Sequence, residues 1–210
     1  MTDLIPFLKS RLQDPLPGED AHVKMMPRGS DPRRFDKTKM DNARLSSVLI
    51  LFYHKNGQWH IPLTQRHDYG GTHSGQVSLP GGKIEPDDVD LIHTAIRETH
   101  EEIGVPPAQV EVIGSLSDIY IPPSNFKVTP VVGYAAQHPD FKLDSYEVKE
   151  LMEVTLDDLL DDALIKTKSF DVRGGYRIQA PYFELNQKVV WGATAMILSE
   201  LVEVMRGKST

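Results

Sequence analysis

The sequence predicts an α+β fold in which a mixed β-sheet lies between layers of helices. Three observations lead to this expectation. Hydrophobic runs of strand length come first, near residues 45–65, and a strongly amphipathic helix follows them. Further strand-like runs come next, and a second amphipathic helix closes the chain at residues 193–205. This order of strands, one helix, more strands and a final helix is typical of α+β domains.

Composition excludes several classes of protein. The chain has 210 residues, 40% of them hydrophobic and 25% charged, which is ordinary for a globular protein. Its formal charge of −7 argues against a general nucleic-acid binder. Cysteine is absent, which excludes disulfides, zinc–thiolate sites and a cysteine nucleophile. No run approaches the ~20 apolar residues of a membrane span, so we expect a cytoplasmic enzyme or binding protein with no membrane partner.

The chain is expected to divide into an N-terminal part, residues 1–43, and a main domain, residues 44–207. Apolar residues at helical spacing predict a helix over residues 3–13, which Pro15 and Pro17 bring to an end. We expect this helix to dock on the main domain.

A connector over residues 25–42 is predicted to be a loop, because prolines and a glycine punctuate it. It is locally basic, and two interpretations are open. It is either a solvated connector or an arm that contacts phosphate. Its basic residues are Arg28, Arg33, Arg34, Lys37 and Lys39.

The main domain is predicted to open with a β-hairpin, a glycine-rich loop and an extended step into a Gly-Gly turn. After the amphipathic helix we expect a second antiparallel pair of strands, a weakly alternating strand, a short acidic helix, two strands around a turn and the closing helix. In chain order these segments are residues 45–53, 59–65, 67–75, 76–79, 81–82, 110–120, 128–136, 147–154, 156–160, 176–185, 189–190 and 193–205.

The first amphipathic helix has clear end signals. It is expected to begin near Asp88 or Asp90, since aspartate is a good N-cap and its charge suits the positive end of the helix dipole. Gly104 is the expected stop. Its apolar stripe is predicted to be Leu91, Ile92, Ala95, Ile96, Thr99 and Ile103.

The polar face of this helix breaks the rules of local stability. Glu98 and Glu102 are neighbours at i,i+4 spacing, and Glu101 lies beside them near the negative end of the helix dipole. Such repulsion is common enough on solvated acidic faces, which is the alternative interpretation. A hard divalent cation such as Mg²⁺ would remove the conflict, because it seeks clustered oxygen ligands.

The order of residues around this helix resembles the Nudix box, in which a glycine turn precedes Arg-Glu, then Glu-Glu, then Gly. Residues 97–105 read RETHEEIGV and fit the helical part of that motif, with Thr99 in its apolar position. One departure is visible: Asp88 lies nine residues before Arg97, one more than is usual. The resemblance implies the Nudix α/β/α sandwich and a metal-dependent hydrolase of diphosphate links.

A second motif runs from Leu63 to Gly82 and reads LTQRHDYGGTHSGQVSLPGG. It resembles a pattern that marks the coenzyme A pyrophosphatase branch of the Nudix family. Leu79 replaces an aromatic residue, and Gly70 and Gly71 stand where Leu and Arg are common. The resemblance implies coenzyme A or acyl-CoA as substrate, cut to 3′,5′-ADP and 4′-phosphopantetheine, and a homodimer. The likeness continues at residues 119–133, 147–160 and 191–198.

The resemblance to the box implies the metal ligands. Glu98 and Glu102 would bind Mg²⁺ or Mn²⁺, and Glu101 would be a further ligand or would orient water. The backbone carbonyl near Gly82 is an additional oxygen ligand by resemblance. Arg97 would hold the carboxylates in place through Arg–Glu pairs.

Residues outside the box are expected to complete the site. Many family members need a base there, and Glu147 and Glu150 are the candidates, with Glu147 slightly ahead and exposed strand-end charges as the alternative. Arg66 could pair with a phosphate or be a surface cation, and His73 could be structural. The substrate-binding candidates are Arg66, His73, Gln76 and Ser78.

Two other functions stay open at this stage. The first is a Nudix enzyme acting on another nucleotide substrate, such as a nucleoside triphosphate, a dinucleotide or a sugar nucleotide. The second is a non-catalytic, nucleotide-binding regulator with the same fold. Such relatives usually lose box carboxylates, whereas Glu98, Glu101 and Glu102 are all present here.

Overall fold

The centre of the fold is strand β1 (Arg44–Lys55). A computed structural model describes residues 4–30, 36–67, 75–172 and 176–207 of the chain. In it, the side chains of residues 49–53 are all completely buried, although they point alternately to opposite faces. Both faces of β1 are therefore covered, which explains why the sequence reads there as one hydrophobic run.

A central mixed sheet of eight strands surrounds β1. The strand β7 runs parallel to β1, and every other pairing in this sheet is antiparallel. The main path is β3-β2-β1-β7-β5, with β8 on β2, β4 on β1 and β6 on β7. The remaining strands are β2 (Gln58–Arg66), β3 (Val77–Ser78), β4 (Gly81–Lys83), β5 (Glu111–Ser115), β6 (Ile119–Ile121), β7 (Phe126–Ala135) and β8 (Val148–Thr155).

The two faces of this sheet carry different helices. Leu49, Leu51 and Tyr53 pack with Ala95 and Ile103 of helix α4 (Leu91–Ile103). The intervening β1 side chains, Ile50 and Phe52, pack on the opposite face with the closing helix α6 (Gly192–Met205). The predicted α+β class, with a mixed sheet between helices, is confirmed.

A second sheet of three antiparallel strands follows, in the order β11-β10-β9. Its strands are β9 (Ile165–Val172), β10 (Tyr176–Leu185) and β11 (Lys188–Trp191). Asn186 and Gln187 have φ of 48° and 62°, which suits a tight hairpin turn. We predicted β10 and β11 but not β9, whose described side chains are mostly exposed and polar. Pairing with β10, rather than an apolar face, accounts for that strand.

The N-terminal segment contains more helix than the sequence predicted. The predicted first helix is present as α1 (Leu4–Arg11), and it packs in the same core as α6. The connector, predicted to be a loop, contains α3 (Lys37–Asp41), so that prediction is wrong there. The Asp36 side chain caps α3 by accepting from the backbone N–H groups of Thr38 and Lys39. A five-residue helix shows no apolar periodicity, so only its cap could have revealed it.

Short elements account for the other differences. Residues 18–25 form α2 (Gly18–His22) and a 3-10 helix (Val23–Met25). The strand predicted over residues 110–120 is interrupted between β5 and β6, and Gly114 has φ of 156° beside an irregular register. The short acidic helix is present as α5 (Leu156–Leu159). Among the described residues, no helix combines the length and apolar character needed to cross a membrane. The division at residue 44 stays a prediction.

Candidate active site

Helix α4 supports the candidate site, and its ends are well defined. Asp90 is the N-cap, accepting a 2.7 Å hydrogen bond from the backbone N–H of His93. Gly104 ends the helix with φ of 75°. Of the two residues predicted to begin the helix, Asp90 is therefore the cap. The buried stripe differs slightly from the predicted one, since Thr94 is buried and Ile92 is 40% exposed.

Asp88 anchors the polar face of α4. Its side chain is completely buried, and its two oxygens accept 2.9 Å bonds from Nε and Nη2 of Arg97. It also accepts from the Thr94 hydroxyl and from the backbone N–H of Glu85, and it contacts His93 Nδ1. These donors, Arg97 above all, hold the pKa of Asp88 well below its usual range. The extra residue before Arg97 therefore does not separate the two groups.

Arg97 connects this anchor to the box carboxylates. Its Nη1 donates to Glu101 Oε2 at 2.8 Å, and its Nη2 lies 3.0 Å from Glu98 Oε1. Nη2 also donates to the carbonyl oxygen of Lys83 at 3.2 Å. One guanidinium thus bridges the loop before the helix and two successive turns of α4, which limits the positions open to Glu98.

Gly82 provides the space for Glu98. A Cβ atom at residue 82 would lie 2.3 Å from Glu98 Cδ, far inside van der Waals contact. Gly81 has φ of 153° and equally close neighbours in the β1 backbone. The pair of glycines in β4 is therefore required for two different reasons. Burial raises the pKa of Glu98, while Arg97 opposes that rise.

Glu102 is the most buried of the three box carboxylates, with 3% exposure. Its Oε2 accepts a 3.3 Å bond from the backbone N–H of Gly81, and its Oε1 lies 3.8 Å from Arg66 Nη2. Burial raises the pKa of Glu102 to about 8, and the negative charges of Glu98 and Glu147 add to the rise. Glu101, by contrast, has a side chain that is 57% exposed.

Arg66 lies at the end of β2 and faces two acidic groups. Besides Glu102, its Nη2 lies 4.0 Å from Glu147 Oε2. Glu147 precedes β8, and its charge raises the pKa of both Glu98 and Glu102. The fold therefore brings Arg66 and Glu147, which are far apart in sequence, to the box carboxylates.

Glu150 lies elsewhere. Its Oε2 accepts a 2.8 Å bond from Nζ of Lys188, which also donates to Gln65 Oε1 at 3.0 Å. Gln65 in turn donates to the carbonyl oxygen of Gly75. No pattern in the sequence pointed to Lys188, because this residue lies on β11 of the second sheet, far from Glu150 along the chain.

Two of the other substrate-binding candidates, Gln76 and Ser78, contact residues of β2. The carbonyl oxygen of Gln76 accepts a 3.1 Å bond from the backbone N–H of Arg66. The hydroxyl of Ser78 lies 3.4 Å from that of Thr64 on β2. His73 lies outside the described residues. His67, which we did not predict, has its Nε2 3.0 Å from the carbonyl oxygen of Ser145, beside the turn that carries Glu147.

The chemistry of these residues fits a hard divalent cation. Glu98 and Glu102 are largely buried carboxylates, and the negative charge of Glu98 raises the pKa of Glu102. Oxygen ligands of this kind suit Mg²⁺ or Mn²⁺. Within the described part of the chain, no group of three or more acidic or histidine side chains is already gathered as a metal site. Glu98 and Glu102 are instead held by Arg97, Arg66 and Gly81.

Comparison with known proteins identifies the family. The NUDIX domain pattern matches residues 43–172. The Nudix hydrolase NudL of Yersinia pestis (strain Pestoides F) is 38% identical over 144 residues, which cover 67% of this chain and 70% of that protein.

Solved structures agree at the level of the fold. The Nudix hydrolase RenU of M. smegmatis matches with a TM-score of 0.52 and 18% identity, over 78% of this chain and 87% of its own. A Nudix hydrolase from Nitrosomonas europaea matches with a TM-score of 0.51 and 17% identity, over 79% and 72%. The domain match and the NudL relative together show that this chain belongs to the Nudix hydrolase family.

Proposed function

We propose that this protein cleaves the diphosphate bond of coenzyme A or acyl-CoA, releasing 3′,5′-ADP and (acyl-)4′-phosphopantetheine. Its membership of the family supports the broader activity, hydrolysis of a diphosphate link. The narrower assignment rests on one observation. Two described residues of the second motif lie at the box carboxylates: Arg66 Nη2 lies 3.8 Å from Glu102 Oε1, and Gly82 lies against Glu98.

The residues at this site have different chemical roles in such a reaction. Arg66 presents a guanidinium beside the carboxylates, where it would pair with a phosphate oxygen of the substrate. Glu98 and Glu102 would hold Mg²⁺ or Mn²⁺, with Glu101 and the backbone carbonyl near Gly82 as further oxygen donors. When bound, the cation would neutralise the diphosphate and lower the pKa of bound water. Arg97 acts as a positioning residue through Glu98 and Glu101.

Glu147 is the proposed general base. Its carboxylate is half-exposed and lies within 4.0 Å of Arg66, on the side of the box carboxylates. It would accept a proton from the attacking water as the water oxygen bonds to phosphorus and the bridging P–O bond breaks. Glu150, the other candidate, remains a prediction that is less well supported, because its carboxylate is paired with Lys188.

The test is product analysis by mass spectrometry. Purified protein is incubated with coenzyme A and Mg²⁺ or Mn²⁺, beside a panel of nucleoside triphosphates, dinucleotides and sugar nucleotides. A Glu98→Gln/Glu102→Gln variant is the control. We expect 3′,5′-ADP and 4′-phosphopantetheine from the wild type alone, and reaction in H₂¹⁸O assigns the attacked phosphorus by placing the label in one product.

The outcomes separate the alternatives. If coenzyme A stays intact while another diphosphate is cleaved, the family activity stands and the coenzyme A proposal is wrong. If no substrate is cleaved at millimolar metal, a nucleotide-binding regulator becomes the better interpretation. The homodimer, the cytoplasmic location and the role of the basic connector stay predictions, and gel filtration with light scattering tests the first of them.

A further inference from the structure

Tyr146 presents an open aromatic ring next to the proposed base. Its exposure is 92%, the highest of any large hydrophobic or aromatic side chain among the described residues. Glu147 follows it directly, and Glu147 faces Arg66 and interacts electrostatically with Glu98 and Glu102. Tyr146 is therefore adjacent along the chain to a residue of the proposed site, and its ring is open to solvent.

The backbone that carries this ring is held in place. Asp144 forms a compact turn, since its carbonyl oxygen accepts from the backbone N–H groups of Glu147 and Val148. The Asp144 side chain accepts a 2.7 Å bond from the backbone N–H of Tyr146 itself. This arrangement fixes the main chain while it leaves the ring open to solvent.

The same turn is tied to the box helix and to β2. The backbone N–H groups of Lys142 and Asp144 donate to the carbonyl oxygens of Ile103 and Glu102, at 2.9 and 3.0 Å. His67, next to Arg66, contacts the Ser145 carbonyl oxygen at 3.0 Å. Tyr146 is thus presented by a turn whose position follows that of the candidate site.

We propose that Tyr146 stacks on the nucleobase of the substrate while the diphosphate lies at Arg66 and the box carboxylates; this rests on the proposed function. Charge favours this part of the substrate. Asp144 and Glu147 are close to Tyr146 in the chain, and their negative charges disfavour a phosphate there, whereas adenine is neutral at pH 7. An aromatic face stacks on a base, and a ring with two side-chain torsions loses little entropy on binding.

The experiment compares Tyr146→Ala and Tyr146→Phe on two substrates, coenzyme A and an analogue in which hydrogen replaces the adenine. Phe7→Ala is the control, because it removes a 39% exposed ring from α1 instead. We expect Tyr146→Ala to raise KM for coenzyme A about tenfold, with kcat within about twofold of the wild type. Tyr146→Phe should match the wild type, and the base-free analogue should not distinguish the variants.

Two results would overturn the inference: equal effects of Tyr146→Ala on both substrates, or no effect on either. If the wild type prefers another nucleoside diphosphate derivative, the coenzyme A assignment fails alone, and the comparison is made with that nucleotide and its base-free counterpart. If nothing is cleaved, calorimetry with 3′,5′-ADP decides. Weaker binding by Tyr146→Ala than by Tyr146→Phe supports stacking, and equal binding or none by the wild type contradicts it.

Discussion

Asp88 and Arg97 form a two-armed ion pair, with both N–O distances at 2.9 Å, although Arg97 lies nine positions after Asp88 in the chain. Asp88 lies outside α4 and Arg97 on its second turn. The pair therefore fastens the loop after β4 to the helix, and the remaining donors of Arg97 reach Glu98, Glu101 and the Lys83 carbonyl oxygen. The side-chain positions of Glu98 and Glu101 therefore depend on the contact between Asp88 and Arg97.

We expect Asp88→Asn to lower the free energy of unfolding by about 2–4 kcal/mol at pH 7. The variant removes the buried carboxylate that binds Arg97 through two atoms, and only Glu98 and Glu101 remain as ion-pair partners of this mostly buried guanidinium. Activity should fall as well, because Glu98 loses its fixed neighbour. Urea unfolding and steady-state kinetics provide the measurements. Asp87→Asn is the matched control, since Asp87 is exposed and adjacent.

The difference in unfolding free energy between the wild type and Asp88→Asn should depend on pH in a defined direction. The pKa of Asp88 is lowered in the folded state, so its stabilising contribution is present above its ordinary pKa near 3.8 and is lost as the pH falls below it. The stability gap between wild type and Asp88→Asn should therefore narrow below about pH 4. A gap that is constant from pH 7 to pH 3 would contradict the assigned ion pair.

Glu102 should have the opposite pH dependence. Its folded pKa is raised from 4.5 to about 8, so in metal-free protein its contribution to stability falls as the pH rises from about 4.5, and it levels off above about 8. Glu102→Gln should then stabilise the metal-free protein at pH 8–9, by on the order of 2–4 kcal/mol. Unfolding in EDTA across pH 5–9 measures this, with exposed Glu101→Gln as control.

Metal binding should reverse the destabilisation that the ionised Glu102 side chain causes in the metal-free protein. Because Glu102 must lose its proton to bind a cation, the affinity for Mg²⁺ or Mn²⁺ should increase as the pH rises from 6.5 to 8, by up to about tenfold per pH unit. Added metal should raise the melting temperature of the wild type more than that of Glu102→Gln. Equal shifts in both proteins would remove Glu102 from the ligand set.

Gly82→Ala should displace Glu98, since the new Cβ would lie 2.3 Å from Glu98 Cδ. We expect a stability loss of about 1–3 kcal/mol and a large loss of activity. A double-mutant cycle with Glu98→Ala tests the cause: in that background the clash is gone, so Gly82→Ala should cost little stability. An unchanged cost would mean that the substitution acts elsewhere.

The two candidate bases provide a matched pair. Glu147→Gln should lower kcat by about 10²- to 10⁴-fold, as expected for loss of a general base. Glu150→Gln should change kcat by less than about threefold, because that carboxylate bonds Lys188. Steady-state kinetics with saturating metal makes the comparison. A larger effect at Glu150 than at Glu147 would reverse the assignment.

Local spacing was enough to predict part of the site. Glu98, Glu101 and Glu102 belong to one helix, so their spacing alone made them neighbours, and the Gly104 stop followed from the left-handed backbone that glycine tolerates. The apolar runs of β1 and α4 likewise showed where the sheet and its covering helix would be. Polar or very short elements such as β9 and α3 lacked such a pattern, because pairing and capping stabilise them.

Contacts between distant segments required the tertiary structure. Glu147 and Glu150 are both carboxylates of one short segment. The placement of β8 beside β2 puts Glu147 near Arg66, whereas the second sheet brings Lys188 to Glu150. Asp88 became the partner of Arg97 because the loop before α4 folds back on the helix.

The sequence by itself determined the family, the carboxylate helix and the alternation of strands, since these depend on residue spacing within one segment. The tertiary structure decided which distant charges share a site, how deeply Glu102 is buried and why Gly82 has no side chain. Burial, charge proximity and steric exclusion arise only when segments far apart in the chain come into contact.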